Sequence, residues 1–138
     1  MHQKKLAINY SAVLVTGITA FLLSMLWYSP LLFGTIWEKY RSAPNPAIPK
    51  WTIVFAPVRE IIAALVIEFL IISMALSNWR WTSGLMFLLW VAFHAVGMAG
   101  AIIWDNMQWQ LGLVHAGDWL MKMQYMGIVL TIWFNKKS

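Results

Sequence analysis

The chain contains no cysteine, which removes disulfides, thiolate metal sites and thiol nucleophiles together. Acidic residues are scarce: five Asp and Glu stand against ten Lys and Arg, for a formal net charge of +5. Charged residues make up 11% of the 138 positions, where a soluble domain carries about 25%. There is no glycine-rich phosphate loop, no H-E-x-x-H pair and no serine set beside a base and an acid in a recognisable pattern. His94, His115, Glu68 and Asp118 show no zinc-ligand spacing. A haem would need two axial side chains at matched depth, which His94 and His115 do not offer. The expectation is a protein that is not an enzyme and holds no metal or other cofactor.

What is abundant is apolar surface. Hydrophobic residues make up 61% of the chain, and ten are tryptophan. A chain this short cannot hide so much apolar surface from water, so a bilayer is the expected solvent, with Trp and Tyr at its interfaces. The length suits one domain, residues 1–138. The basic residues fall at the ends of apolar segments rather than on one face. That argues for membrane lipids as partners and against nucleic acid. Lys4 and Lys5 precede a charge-free run that reaches Trp37. This far exceeds the roughly 7–15 apolar residues of a signal peptide, and no small-x-small site follows, so an uncleaved first span is expected.

Runs of about 20 apolar residues mark helical spans. The pattern predicts an all-α membrane protein, a four-transmembrane-helix bundle with an interfacial first loop and spans at about 6–28, 55–77, 83–104 and 116–134. Pro44, Pro46 and Pro49 break the loop at 29–54, whose apolar start would lie on the membrane surface. Residues 78–82 read as a tight turn and 105–115 as a short loop without Lys or Arg. The positive-inside rule favours both termini inside a bacterial inner membrane. Lys4, Lys5, Arg80, Lys136 and Lys137 would then lie inside, with Lys39, Arg41 and Lys50 outside.

Small residues set helix packing in lipid. Ala12, Thr16, Ala20 and Ser24 recur every four residues in the first span, and Gly97 and Ala101 stand four apart in the third. These two helices are the expected close pair, within one chain or across a homo-oligomer.

Polar residues inside a span are costly and face the bundle interior. Glu60 and Glu68 share a face of the second span, with Arg59 at its start; His115, Asp118, Lys122 and Tyr125 share a side of the fourth. Asp118 and Lys122 have the spacing of an intrahelical ion pair. At about 1.5 Å per residue, Glu68 and His94 fall near the bilayer centre. The predicted object is a polar cleft, open outward and closing on Glu68 and His94, with Glu68 paired to Lys122 or Arg59. Two function classes follow. One is a structural or accessory protein, homo-oligomeric, whose polar network stabilises it. The alternative is a small oligomeric transporter or channel for protons, cations or a polar solute, with Glu68 and His94 as the coupling site.

The residues Asn9-Tyr10-Ser11-Ala12-Val13-Leu14-Val15, followed by Leu26-Trp27-Tyr28-Ser29-Pro30-Leu31-Leu32-Phe33-Gly34 and Trp37, resemble the opening of a bacterial membrane family known as domain of unknown function 1761. The resemblance implies four membrane spans over nearly the whole chain and carries no substrate and no catalytic residue. The signature also has a physical reading. Trp27 and Tyr28 would anchor a helix end at the head groups. Pro30 would stop the helix. Phe33 and Trp37 would lie along the interface, with Gly34 permitting the turn. A lid over the cleft is the functional reading of the same segment.

Overall fold

The computed structural model describes residues 7–137, apart from the side chain of residue 137. Five helices follow in order: α1 (Tyr10–Trp27), α2 (Gly34–Tyr40), α3 (Phe55–Ser73), α4 (Trp79–Trp104) and α5 (Trp109–Lys137). A short 3-10 turn, Lys50–Val54, leads into α3, and α4 runs unbroken through a π-helical stretch at Trp90–Ala95. No strand occurs among the described residues.

Local sequence explains the boundaries. Asn9 caps α1 by accepting from the Ala12 amide at 3.3 Å, the usual role of an Asn before a helix. Pro30 lies just past the end of α1 and cannot continue it. At the end of α3, Ala75 turns left-handed at φ 49. The Leu76 amide then donates to the Ile71 carbonyl at 2.9 Å and the Ala75 amide to Ile72, a Schellman closure. Asn78 caps α4 by accepting from the Arg80 amide at 2.9 Å, so this helix begins at Trp79 and not near 83. Asn106, at φ 55, makes the next reversal, and α5 begins at Trp109, well before 116.

The helix at the centre is α5, which packs against each of the other four. α1 runs antiparallel to α3 and lies close to it. A Cβ on Gly17 would come within 2.7 Å of the Ile61 Cα, so only glycine permits this approach. Ala12, Thr16, Ala20 and Ser24 are buried on α1. The stripe thus faces α3 and α5; the close partner of α1 is α3, not the third long helix. Gly97 is exposed, with nothing within 4 Å of a Cβ built on it, and Ala101 is half-buried. Ala64, Ile67 and Ile71 from α3, Met86 from α4, and Met126 and Leu130 from α5 complete the apolar core.

The four-span architecture is corrected by this arrangement. Two helices, Tyr10–Trp27 and Trp79–Trp104, are long and apolar enough to cross a membrane. α3 carries Arg59, Glu60 and Glu68, and α5 carries His115, Asp118, Lys122 and Gln124. These mid-helix polar groups remove both from the set of apolar spans. The multi-pass inner-membrane placement with both termini inside rested on four spans and falls with them. Of the charges behind it, Lys4, Lys5 and the Lys137 side chain lie outside the described residues. The first loop is not simply interfacial: α2 folds back onto α5, while Leu31 and Leu32 before it and the proline-bearing stretch beyond it are exposed.

Candidate functional site

α5 carries Asp118 and Lys122 on the side that meets α1 and α3, which leaves them no water. Lys122, Glu60 and Asp118 are 0%, 0% and 1% exposed. The Lys122 Nζ donates to Glu60 Oε1 at 2.7 Å and to Asp118 Oδ2 at 2.8 Å. The Ser24 hydroxyl of α1 donates to Asp118 Oδ1 at 2.8 Å. Arg59 reaches Glu60 Oε1 at 3.2 Å from a largely exposed position. The indole of Trp119 lies 4.0 Å from the Lys122 ammonium and 5.2 Å from the Arg59 guanidinium, a favourable cation–π placement for both. Two carboxylates and two cations balance; the Lys122 ammonium ties α5 to α3, and Asp118 ties α5 to α1 through Ser24. A buried ion left alone would cost several kcal/mol, so this pairing is obligatory once the fold forms. Glu60 Oε2 is buried without a hydrogen-bond partner, so Glu60 engages Lys122 and Arg59 through one oxygen.

The outward-open cleft is replaced by this closed network. Glu68 does not meet Lys122: it lies two turns along α3 from Glu60, where its Oε1 is 3.4 Å from the Asn9 amide. Nor does it meet His94, whose Nε2 donates to the His115 carbonyl at 3.2 Å and whose ring meets Trp119 edge-on. Tyr125 reaches the Thr19 hydroxyl at 2.6 Å. Lys122 is fully buried, and the transporter reading built on an open cleft loses its basis. Among the described residues no group of three or more His, Asp or Glu could hold a metal ion.

A second cluster lies at the level of Tyr28. The Tyr28 Oη and His115 Nδ1 are 2.6 Å apart. Burial pushes the Tyr28 phenol well above its ordinary range, and the negative charge of Asp118 adds to this. Burial also lowers the His115 imidazole, with Asp118 opposing. A protonated phenol beside a neutral ring fixes the direction: Tyr28 donates and Nδ1 accepts.

Sequence reasoning missed how the aromatic residues are used. The Trp27 Nε1 donates to the Val114 carbonyl at 3.0 Å, His94 to His115, and the Trp90 Nε1 to Ala116 at 2.9 Å. Three consecutive carbonyls of α5 are thus held from two neighbouring helices. The π-helical stretch at Trp90–Ala95 helps, because its extra residue in one turn resets which side chains face α5. A legible signal was Gly117: a Cβ there would come within 2.6 Å of the Trp27 ring. The Trp27–Gly34 signature folds back on itself instead of lying flat. Phe33 packs 4.4 Å from Trp27, Trp37 meets Tyr28 edge-on at 5.4 Å, and the Gly34 amide donates to the Ser29 carbonyl at 2.9 Å. A Cβ on Gly34 would collide with the Tyr28 carbonyl, and Pro30 stays exposed at the tip.

Comparison with known proteins matches residues 11–131 to the family described as protein of unknown function (DUF1761), and the chain belongs to that family. No curated protein and no solved structure matches it.

Proposed function

We propose that this member of the family is a non-enzymatic, lipid-contacting structural component that works as a homo-oligomer, its ion network serving to lock the helices. The observation that carries the reading is α4, 26 residues long and apolar, with 6% of its most apolar stretch buried in the protein. Trp81, Leu88, Phe93, Val96, Ile103 and Trp104 all face outward on it. Surface of that extent needs an apolar cover, and lipid is the cover its composition suits. The open space at Gly97 suits the close approach of a second helix.

The ion network supports a structural role because it is closed and charge-balanced. Membrane flotation tests the lipid reading: the protein should rise with liposomes and resist alkaline extraction. A monodisperse protein in detergent-free buffer, with no liposome association, would end it. A triple variant, Glu60→Gln, Asp118→Asn and Lys122→Met, tests the structural role. It should regain the stability that Lys122→Met alone loses, because a buried ion set can be replaced as a whole. The mass of the protein in mild detergent reports self-association.

A further inference from the structure

Where the end of α2 meets the turn between α4 and α5, a cavity of about 340 Å³ opens, a volume in the range of small-molecule sites. Its walls carry Tyr40, Arg41 and Ser42 from the first segment and Asp105, Asn106 and Gln108 from the second. Three further grooves on the bundle are walled mainly by apolar side chains. Both polar walls are held by backbone contacts. The Asp105 and Met107 amides donate to the Ala101 carbonyl at 3.0 and 3.1 Å, and Asn106 makes the reversal at φ 55. The Arg41 amide donates to the Trp37 carbonyl at 2.9 Å, and α2 packs on α5. Such preorganisation lowers the cost of binding.

The charges on the two walls are opposite and only partly engaged. Arg41 uses its Nε for Glu38, at 3.0 Å, and holds its guanidinium 4.5 Å from the Trp37 ring. Its two terminal nitrogens make no hydrogen bond among the described residues, and their fork suits a phosphate. Asp105 has no ion-pair partner among the described residues. The side-chain oxygens of Ser42, Asn106 and Gln108 are unengaged as well. A carboxylate among such acceptors suits a primary ammonium, which has three N–H donors. A quaternary ammonium has none and wants an aromatic cage, whereas Tyr40 is the single aromatic residue on these walls. The last turn of α4, which meets the cavity at Ala101, adds the negative end of a helix dipole. Depth points to the source of the ligand. Asp105 directly follows Trp104, the last residue of α4, and Trp104 and Trp109 on either side of the turn are 78% and 58% exposed. Exposed indoles at the end of an apolar helix mark the head-group layer.

We propose that this cavity binds the phosphoethanolamine head group of a phospholipid, its phosphate on the Arg41 fork and its primary ammonium on Asp105. The proposal rests on the lipid-contacting reading above and names the lipid class. The test is native mass spectrometry of the full chain in detergent. The protein is titrated with phosphatidylethanolamine, with phosphatidylcholine of the same acyl composition, and with free phosphoethanolamine. Phosphatidylethanolamine should be retained preferentially on the wild type. Asp105→Asn should lower its retention by about two- to five-fold, the worth of an exposed ion pair, and leave phosphatidylcholine retention unchanged. Arg41→Gln should lower phosphatidylethanolamine retention by a similar factor. Lys136→Gln, at the far end of α5, should leave both lipids unchanged. Asp105 and Lys136 are exposed and Arg41 is half-buried, so the fold should persist, as the thermal melt of each variant will report. Equal retention of the two lipids, or a preference that survives Asp105→Asn, would overturn the proposal while leaving lipid contact intact. Free phosphoethanolamine bound as tightly as the lipid would overturn the assignment to a lipid. Failure of either lipid to bind, together with no liposome flotation, would overturn the lipid-contacting reading as well.

Discussion

α4 and α5 are alike in length, 26 and 29 residues, and opposite in design. α4 is apolar nearly throughout and lies at the periphery, most of its side chains unburied. α5 carries the ionisable and amide groups and lies in the middle, in contact with every other helix. Asp118 and Lys122 of α5 are enclosed and paired to each other and to Glu60, while Leu88, Phe93, Val96, Ile103 and Trp104 of α4 are left on the outside. Position in the bundle therefore follows the demand for partners more than apolarity.

Breaking the centre should do most damage. Lys122→Met leaves Glu60 and Asp118 buried without their ammonium, and a loss of about 3–5 kcal/mol is expected; denaturant unfolding in detergent reads it. Next comes the close approach of α1. Gly17→Ala would press against the Ile61 backbone, costing about 1–3 kcal/mol as overpacking does. Removing the buried Thr82–Thr131 hydroxyl pair, 2.7 Å apart, by Thr82→Val should cost about 1–3 kcal/mol, because Thr131 then loses its partner.

Acid should act through His115. Its folded value is lowered from 6.5, so the unfolded chain takes up a proton first as pH falls. Stability is then fully present above 6.5 and is lost as pH falls through the lowered folded value. Melting temperatures at about pH 8 and pH 5 should differ for the wild type and differ less for His115→Gln. The smallest effect belongs to the periphery. Phe93, 78% exposed on α4, should change bundle stability by no more than about 0.5 kcal/mol when replaced by Ala. The same change should weaken partition into liposomes by about 1.5–3 kcal/mol. An equal loss of stability in Phe93→Ala and Lys122→Met would erase the contrast between the two helices.

The sequence made some of this legible. Helix is readable from the apolar runs, and family membership from the Trp27–Gly34 signature. The Asp118 and Lys122 spacing is readable because it is a property of one helix; their side chains are 2.8 Å apart. The choice between Glu60 and Glu68 as partner of Lys122 was not readable. Both lie on the same face of α3, and the axial register of α3 against α5 selects Glu60. The span count failed because apolarity was read segment by segment. Arg59, Glu60 and Glu68 make α3 too polar for an apolar span, yet Glu60 and Glu68 are buried inside the bundle.

By itself the sequence determined the helical class, the apolar excess, the small-residue stripe of α1 and the caps and prolines that divide the chain. These follow from local chemistry: side-chain transfer from water, backbone sterics and the 3.6-residue turn. The tertiary structure alone decided that α5 is central, that Lys122 answers to Glu60 rather than Glu68, and that Trp27, Trp90 and His94 hold three adjacent carbonyls of α5. Those contacts join residues up to 87 positions apart. They depend on how the helices rotate and slide against one another, which the packing of the whole bundle settles at once.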